Sequence, residues 1–392
     1  MISSESSDSE VEQVARRAAD VHATKAPSAK RARASSDADE KSREEILAER
    51  QARRKQKRVD KQAAKAVERE QEAERLKEER RTLGRRFTVS IAVPGSIVDN
   101  AQTKELKTYL AGQIARAAAI FQVDEVIVFD DQLGKAANDK DVTKKYNNPN
   151  DCHVFLGRIL QYLETPQYLR KALFPVHSDL KYAGLLNPLD CPHHMRGDEW
   201  TAYREGVVVD VPGKEKRGSH VNVGLKKFAV IDKHLQPGVR VTVKLDETSK
   251  DKKKLAGTVV SPAEPREQLG EYWGYTMRLA TSLKEVWTES PYKKGYDLKI
   301  GTSERGTSCV DDKDFKLPPF EHVLIVFGGV SGIEECTSAD ESIAINGDQA
   351  HTLFDMWVNT CPQQGSRTIR SEEAILISMS ALRSHLMSNQ MP

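Results

Sequence analysis

From Met1 to about Arg86 the chain is mainly Ser, Asp, Glu, Lys, Arg and Ala, with almost nothing apolar to bury. Such a segment cannot offset the entropy of ordering itself with a core, so it is expected to be disordered or a solvated helix. Whatever folds must be built from residues 87–392, whose composition is ordinary for a globular protein. The net charge is only +2, so charge alone names no partner, although the basic residues are clustered.

Residues 40–86 are rich in good helix formers, with opposite charges three and four apart that support an exposed helix. Apolar residues are too sparse for a coiled-coil seam. "RRKQKR" at 53–58 reads as a nuclear-import signal or an RNA-phosphate contact, or equally as a solvated charged face.

The globular part opens with an apolar β-branched run, Phe87 to Val93, that stops at Pro94-Gly95 and predicts a buried strand. Next, Leu106, Leu110, Ile114, Ala117 and Phe121 fall on one helical face, with Thr103 as N-cap. "DEVIVFDD" predicts a second strand and "VFLGRILQYLETP" a second helix. This alternation predicts an α/β layer with a parallel sheet. It breaks from about Pro175 to Tyr272, where "EGVVVDV", "SHVNVGL", "FAVID", "VRVTVKL" and "LAGTVVS" are separated by Gly, Pro, Asp and Lys. Short strands at that spacing predict a small β-barrel or sandwich. With Lys252, Lys253 and Lys254 near one of its turns, an OB-like RNA-binding module is favoured over a β insert that braces a dimer or covers the main sheet.

The α/β pattern then resumes, and three strands end in polar or glycine-rich loops: "GTSERG" (301–306), "FGGVSG" (327–332) and "NTCPQQGSRTI" (359–369). In open α/β sheets ligands bind outside the carboxyl ends of the strands, and glycine lets them approach the backbone. Neither GxGxxG after the first strand nor a GK[ST] motif is present, so dinucleotide and nucleoside-triphosphate sites lack their fingerprints. In the final helix Ile375, Met379, Leu382 and Leu386 form an apolar stripe, and Glu372 and Glu373 occupy the first turn, at the positive end of the helix dipole.

Five cysteines without a CxxC pair suit a reducing compartment. "CPHH" at 191–194 lacks a second ligand pair, so no metal site is expected and both histidines are assigned to structure. No apolar run approaches bilayer length and no signal-peptide pattern opens the sequence, which predicts a cytosolic or nuclear protein without membrane association.

"PGSIVDNAQ", "YLAGQIARA", "AGLLNPLDCPHHMR", "YWGYTMRLA", "GTSERG", "VFGG" and above all "NTCPQQGSRTIRSEEAILIS" resemble the SPOUT-domain RNA methyltransferases of eukaryotes and archaea, over about 87–386. The resemblance implies a SPOUT-type trefoil-knotted parallel sheet (86–174 and 273–392), an inserted OB-like barrel (175–272) and a disordered or helical charged extension (1–85). It implies S-adenosylmethionine held by Thr302, Arg305, Gly328, Gly329, Asn359, Gln364, Gly365, Ser366, Thr368 and Ile369. Arg305 and Glu304 are then the candidate catalytic residues, and Arg367 a contact to RNA phosphate. Asp99 and Asn100, after the first strand, either reach the same end of the sheet or stabilise their turn. The expected activity is methylation of a uridine base at N3 in ribosomal RNA by a homodimer. The alternative is a non-catalytic RNA- or spindle-associated scaffold. A nuclear, nucleolar and cytoplasmic location is implied, with spindle, kinetochore or centromere association in mitosis.

Overall fold

A computed structural model describes residues 84–131, 152–211 and 218–389, together with Gln56, Lys57, Lys61, Lys65 and Arg75. The chain divides into two compact units, 1–75 and 76–392. In the first, the five described residues are helical and exposed. The rest of the expected charged extension, most of the 53–58 run included, lies outside the described residues.

In the second unit, seven strands form a parallel sheet: β1 (Thr88–Pro94), β2 (Glu125–Phe129), β8 (Thr276–Ala280), β9 (Leu298–Thr302), β10 (Ser308–Cys309), β11 (His322–Val326) and β12 (Met356–Asn359). Their order is β10-β12-β9-β11-β1-β2-β8. Ile91 of β1 pairs with Ile325 of β11 on one side and Val126 of β2 on the other. Side chains alternate between faces, as strand geometry requires. Val89, Ile91, Val93, Val126, Val128, Val323 and Ile325 pack under α1 (Lys104–Ile120), α2 (Cys152–Glu164) and α7 (Ser371–Met387). Ile127, Phe129, Leu324 and Val326 pack on the opposite side with α5 (Glu285–Thr288) and α6 (Gly332–Ala339). With both faces covered, the strands read as continuous apolar runs.

Thr103 caps α1 by accepting from the Leu106 backbone N–H, as expected. Leu106 itself is 53% exposed, because this helix makes buried contact only from Thr108 and Leu110 onward. The stripe of α7 is buried as read: Ile375, Met379, Leu382 and Leu386 are all at most 4% exposed.

After α2 and α3 (Gln167–Leu173), five strands close a barrel in the order β3-β4-β5-β7-β6. They are β3 (Tyr203–Val209), β4 (His220–Asn222), β5 (Ala229–Ile231), β6 (Arg240–Leu245) and β7 (Leu255–Val260). Val208, Val221, Val223, Ile231 and Val243 fill it. The chain returns to the sheet through α4 (Glu264–Leu269) and Trp273.

A buried polar network joins barrel to sheet. Glu164, the last residue of α2, accepts both Nη atoms of Arg240, at 2.6 and 2.9 Å. Arg240 Nε donates to Glu205 at 2.7 Å, and Trp273 Nε1 donates to the other Glu205 oxygen at 2.7 Å. Burial alone would raise the Glu164 carboxyl, but Arg240 and His193 outweigh it and hold the group at about 2. Removing one member would leave an uncompensated buried charge, so these groups fix the barrel's attachment.

Candidate active site

The carboxyl ends of β9, β11 and β12 lie side by side, so the three polar loops that follow them converge. Thr302 Oγ1 donates to the Val326 carbonyl at 2.9 Å. Asn359 Nδ2 donates to the Glu304 carbonyl at 2.9 Å, and its Oδ1 accepts from Cys361 N at 3.0 Å. Ser371 Oγ donates to the Gly328 carbonyl at 2.9 Å, and Thr360 and Ser378 hydroxyls meet at 2.6 Å. The loops are thereby tied to one another and to the first two turns of α7.

Between them lies a cavity of about 360 Å³, within the usual size of small-molecule sites. Of the residues singled out from the sequence, Thr302, Glu304, Arg305, Gly328, Gly329, Asn359, Gln364, Thr368 and Ile369 line it. Gly365, Ser366 and Arg367 do not; all three are exposed. The 364–368 loop is held internally instead, Gln364 Nε2 donating to the Ser366 carbonyl at 3.0 Å and Ser366 Oγ to that of Thr368 at 2.8 Å.

The glycines divide by role. A Cβ at Gly328 would sit 2.4 Å from the Gly332 carbonyl carbon and 2.5 Å from Ile333 N. A Cβ at Gly306 would sit 2.0 Å from Asn359 N. Both positions are close backbone crossings that only glycine permits. Gly332, at φ +82°, turns the chain into α6.

Sequence reasoning missed Ser303, Glu334, Ser371 and Ser378, all of which line the cavity. Glu334 folds back across the glycine turn, its Oε1 3.5 Å from Ser303 Oγ. Ser303 Oγ in turn accepts from the Arg305 backbone N–H at 3.1 Å. Among the described residues the Arg305 guanidinium has no side-chain hydrogen bond or ion pair, so it is available to a ligand. Asp99 and Asn100 are exposed and outside the cavity lining, and Asp99 pairs with Lys107 at 2.6 Å. A Cβ on Gly329 would lie 3.4 Å from Ser96 Oγ, 3.7 Å from Pro94 Cγ and 3.9 Å from Asp131 Oδ2, and Ser96 Oγ donates to Asp131 Oδ2.

The donor set favours one ligand chemistry. One guanidinium beside the Glu304 and Glu334 carboxylates suits a zwitterion that brings its own positive charge, and is a poor host for a polyphosphate. Ile369, Ala374 and Ile377 supply an apolar wall for a flat base. S-adenosylmethionine, with its sulfonium, amino acid end and adenine, fits that set.

Away from this cavity, Lys252, Lys253 and Lys254 are exposed in the loop between β6 and β7. Cys191, His193 and His194 bring ligand-capable atoms within 4.8 Å of one another. Both imidazole Nε2 atoms face the Glu164 carbonyl, at 3.0 and 2.7 Å, and burial keeps the Cys191 thiol protonated up to about 12. Each ring therefore has a backbone acceptor at the end of α2.

Residues 88–382 match the family described as "Putative RNA methyltransferase". A human protein, 28S rRNA (uridine-N(3))-methyltransferase, is 54% identical over 327 residues, which is 83% of this chain and 85% of that protein. The mouse protein of the same name is 54% identical over 306 residues, 78% of each. Among solved structures, the SpoU methyltransferase AviRb from Streptomyces viridochromogenes, in complex with the cofactor AdoMet, overlaps 78% of this chain and 60% of its own. At TM-score 0.25 and 14% identity, that likeness is too distant to bear on the site.

Proposed function

The chain belongs to the RNA methyltransferase family whose model it matches, and from that premise we infer that it is of SPOUT type and methylates N3 of a uridine in ribosomal RNA. The observation that carries this reading is the three-loop cavity, with its close glycine positions and an Arg305 guanidinium that has no hydrogen bond or ion pair among the described residues. Bound there, S-adenosylmethionine supplies a sulfonium-activated methyl group.

The protein's own task is to align the acceptor and to manage its proton. Asn359, Thr360, Cys361, Gln364 and Thr368 would hold the adenine, with Ile369 packing against it, and the 328–329 turn would hold the ribose and methionine side. Arg305 offers two parallel donors to an anion, either the uridine imide as it loses its proton or the cofactor carboxylate. Glu304 is the proton acceptor in this proposal. The trefoil crossing belongs to the same proposal; its support is the return of β12 to a place between β9 and β10 and the Ser371–Gly328 bond behind it.

The catalytic unit is a homodimer in this reading. Leu106, Tyr109 and Ile120 of α1 and Leu376 and Met387 of α7 are large apolar side chains left 39–53% exposed on two helices that pack together. The basic run at 53–58 and a ribosomal RNA target support a nuclear, nucleolar and cytoplasmic distribution. Spindle or centromere association rests on the family resemblance alone, and imaging a tagged full chain through the cell cycle tests it.

Calorimetric titration with S-adenosylmethionine, beside Ile369→Arg, is the direct test. Saturable binding that the variant abolishes, followed by transfer of labelled methyl to ribosomal RNA, is expected. A folded protein that binds no cofactor with or without RNA would leave a scaffold that merely keeps the fold.

A further inference from the structure

Three loops meet at one pole of the barrel. The first, Arg196–Trp200, precedes β3; the second, Gly224–Phe228, joins β4 to β5; the third, Lys250–Lys254, joins β6 to β7. Arg204 organises the first two. It is fully buried, and its guanidinium donates to the carbonyls of Val223 at 2.7 Å, Glu199 at 2.5 Å and Arg196 at 3.1 Å. The backbones come so close that a Cβ on Gly197 would lie 3.1 Å from the Gly224 carbonyl oxygen. The third loop is pinned at its base by the buried Ser249. Its Oγ donates to the Asp246 carbonyl at 2.6 Å and accepts from Ala256 N at 3.0 Å. Lys227 Nζ donates to the Lys252 carbonyl at 2.7 Å and closes the second loop on the third.

What these fixed loops present is basic and aromatic. Lys226 and Lys227 are exposed on the second loop, and Lys250, Lys252, Lys253 and Lys254 on the third. Phe228 is the residue before β5, whose Ala229 and Ile231 point into the barrel, so strand alternation turns Phe228 outward. It is 48% exposed, which is unusual for a phenylalanine at the mouth of a closed core. Trp200 lies at the same pole, half-buried, with Lys250 Nζ 5.6 Å from its ring centroid.

An exposed aromatic ring among preorganised lysines is the arrangement that binds unpaired nucleotides, bases stacking on the ring and phosphates meeting the ammonium groups. We propose that this pole is a single-stranded RNA-binding surface, in which Phe228 stacks on a base and the lysines of the second and third loops hold the flanking phosphates. The inference rests on the reading of this protein as an RNA methyltransferase and names how the barrel would take the substrate. A duplex could meet the lysines but offers no unpaired base to Phe228, so the surface prefers single strands.

The test is fluorescence anisotropy of the full chain with a labelled 12-nucleotide oligouridylate and, separately, a 12-base-pair RNA duplex. Phe228→Ala should weaken single-strand binding about tenfold without changing its salt dependence, and Phe228→Tyr should restore it. Lys253→Glu with Lys254→Glu should flatten the salt dependence by about one unit of slope or more. S-adenosylmethionine affinity, measured calorimetrically, should be unchanged in all of them. Loss of RNA binding in Phe228→Ala by a parent that binds no cofactor would sink the methyltransferase reading and keep the surface. Single-strand affinity within twofold of the parent in Phe228→Ala, or tighter binding of duplex than strand, overturns the proposal. A parent that binds neither RNA also overturns it and leaves the pole to an acidic protein partner.

Discussion

Ser371, the first residue of the last helix, donates its hydroxyl to the carbonyl of Gly328, 43 positions earlier, at 2.9 Å. Both residues line the cavity, so the bond holds one wall against another. Replacing Ser371 by Ala removes one ordinary hydrogen bond, expected to cost about 1 kcal/mol of stability. Cofactor affinity should fall severalfold more than that loss explains, because the Gly328 turn is then free to shift. Thermal melts beside calorimetry read the two effects separately, and an unchanged Kd would show that the bond serves stability alone.

The glycines of the site predict opposite outcomes for one substitution. Gly328→Ala drives a Cβ to 2.4 Å from backbone that has no flexible end to move, so cofactor binding should be lost and stability fall by about 1–3 kcal/mol. Gly365→Ala meets nothing within 4 Å and has no positive φ. It should leave binding intact and add about 0.4–1 kcal/mol through the unfolded state. Similar behaviour of the two variants in melts and titrations would contradict this division.

Arg305 is exposed and without a protein partner among the described residues, so Arg305→Ala should leave the melting temperature unchanged. Turnover on ribosomal RNA should fall about 10²-fold or more if the guanidinium meets charge that develops during transfer. Separate measurement of kcat, KM for RNA and cofactor Kd locates the loss. A change confined to cofactor Kd would make Arg305 a carboxylate clamp.

Much of this was legible because the sheet is buried on both faces and the helices carry clear stripes. The runs around Ile91, Ile127 and Ile325 announce strands, and the stripe from Ile375 to Leu386 announces the last helix. Strand order was not legible: nothing local to "LFDMWV" shows that β12 lies between β9 and β10. Glu334 was missed because it lies six residues past Gly328, beyond the loop and inside a helix, where a carboxylate usually faces solvent. Arg204 was missed for the opposite reason. A fully buried arginine satisfied by backbone carbonyls leaves no pattern in "TAYREGVVV".

The barrel junction predicts how stability depends on pH. His194 is held at about 4, against 6.5 for a free imidazole, by burial and by the neighbouring His193. Between those values the unfolded chain binds a proton that the folded protein does not, so stability rises with pH there. The contribution, on the order of 3 kcal/mol, is complete above 6.5 and lost as pH falls to about 4. Glu164, at about 2 against 4.5, acts in the same direction over a lower window: its contribution is complete above 4.5 and lost toward 2. Denaturant unfolding from pH 8 to 3.5 should therefore show stability declining from 6.5 downward, steepening below 4.5. His194→Gln should flatten the upper limb and leave the lower one. Glu164→Gln should remove the lower limb and cost about 3–5 kcal/mol at neutral pH, since Arg240 is then buried without its main counter-charge. A wild-type profile that stays level from 6.5 to 4.5 would mean that His194 is protonated in the folded protein, and that the Glu164 carbonyl and carboxylate outweigh its burial.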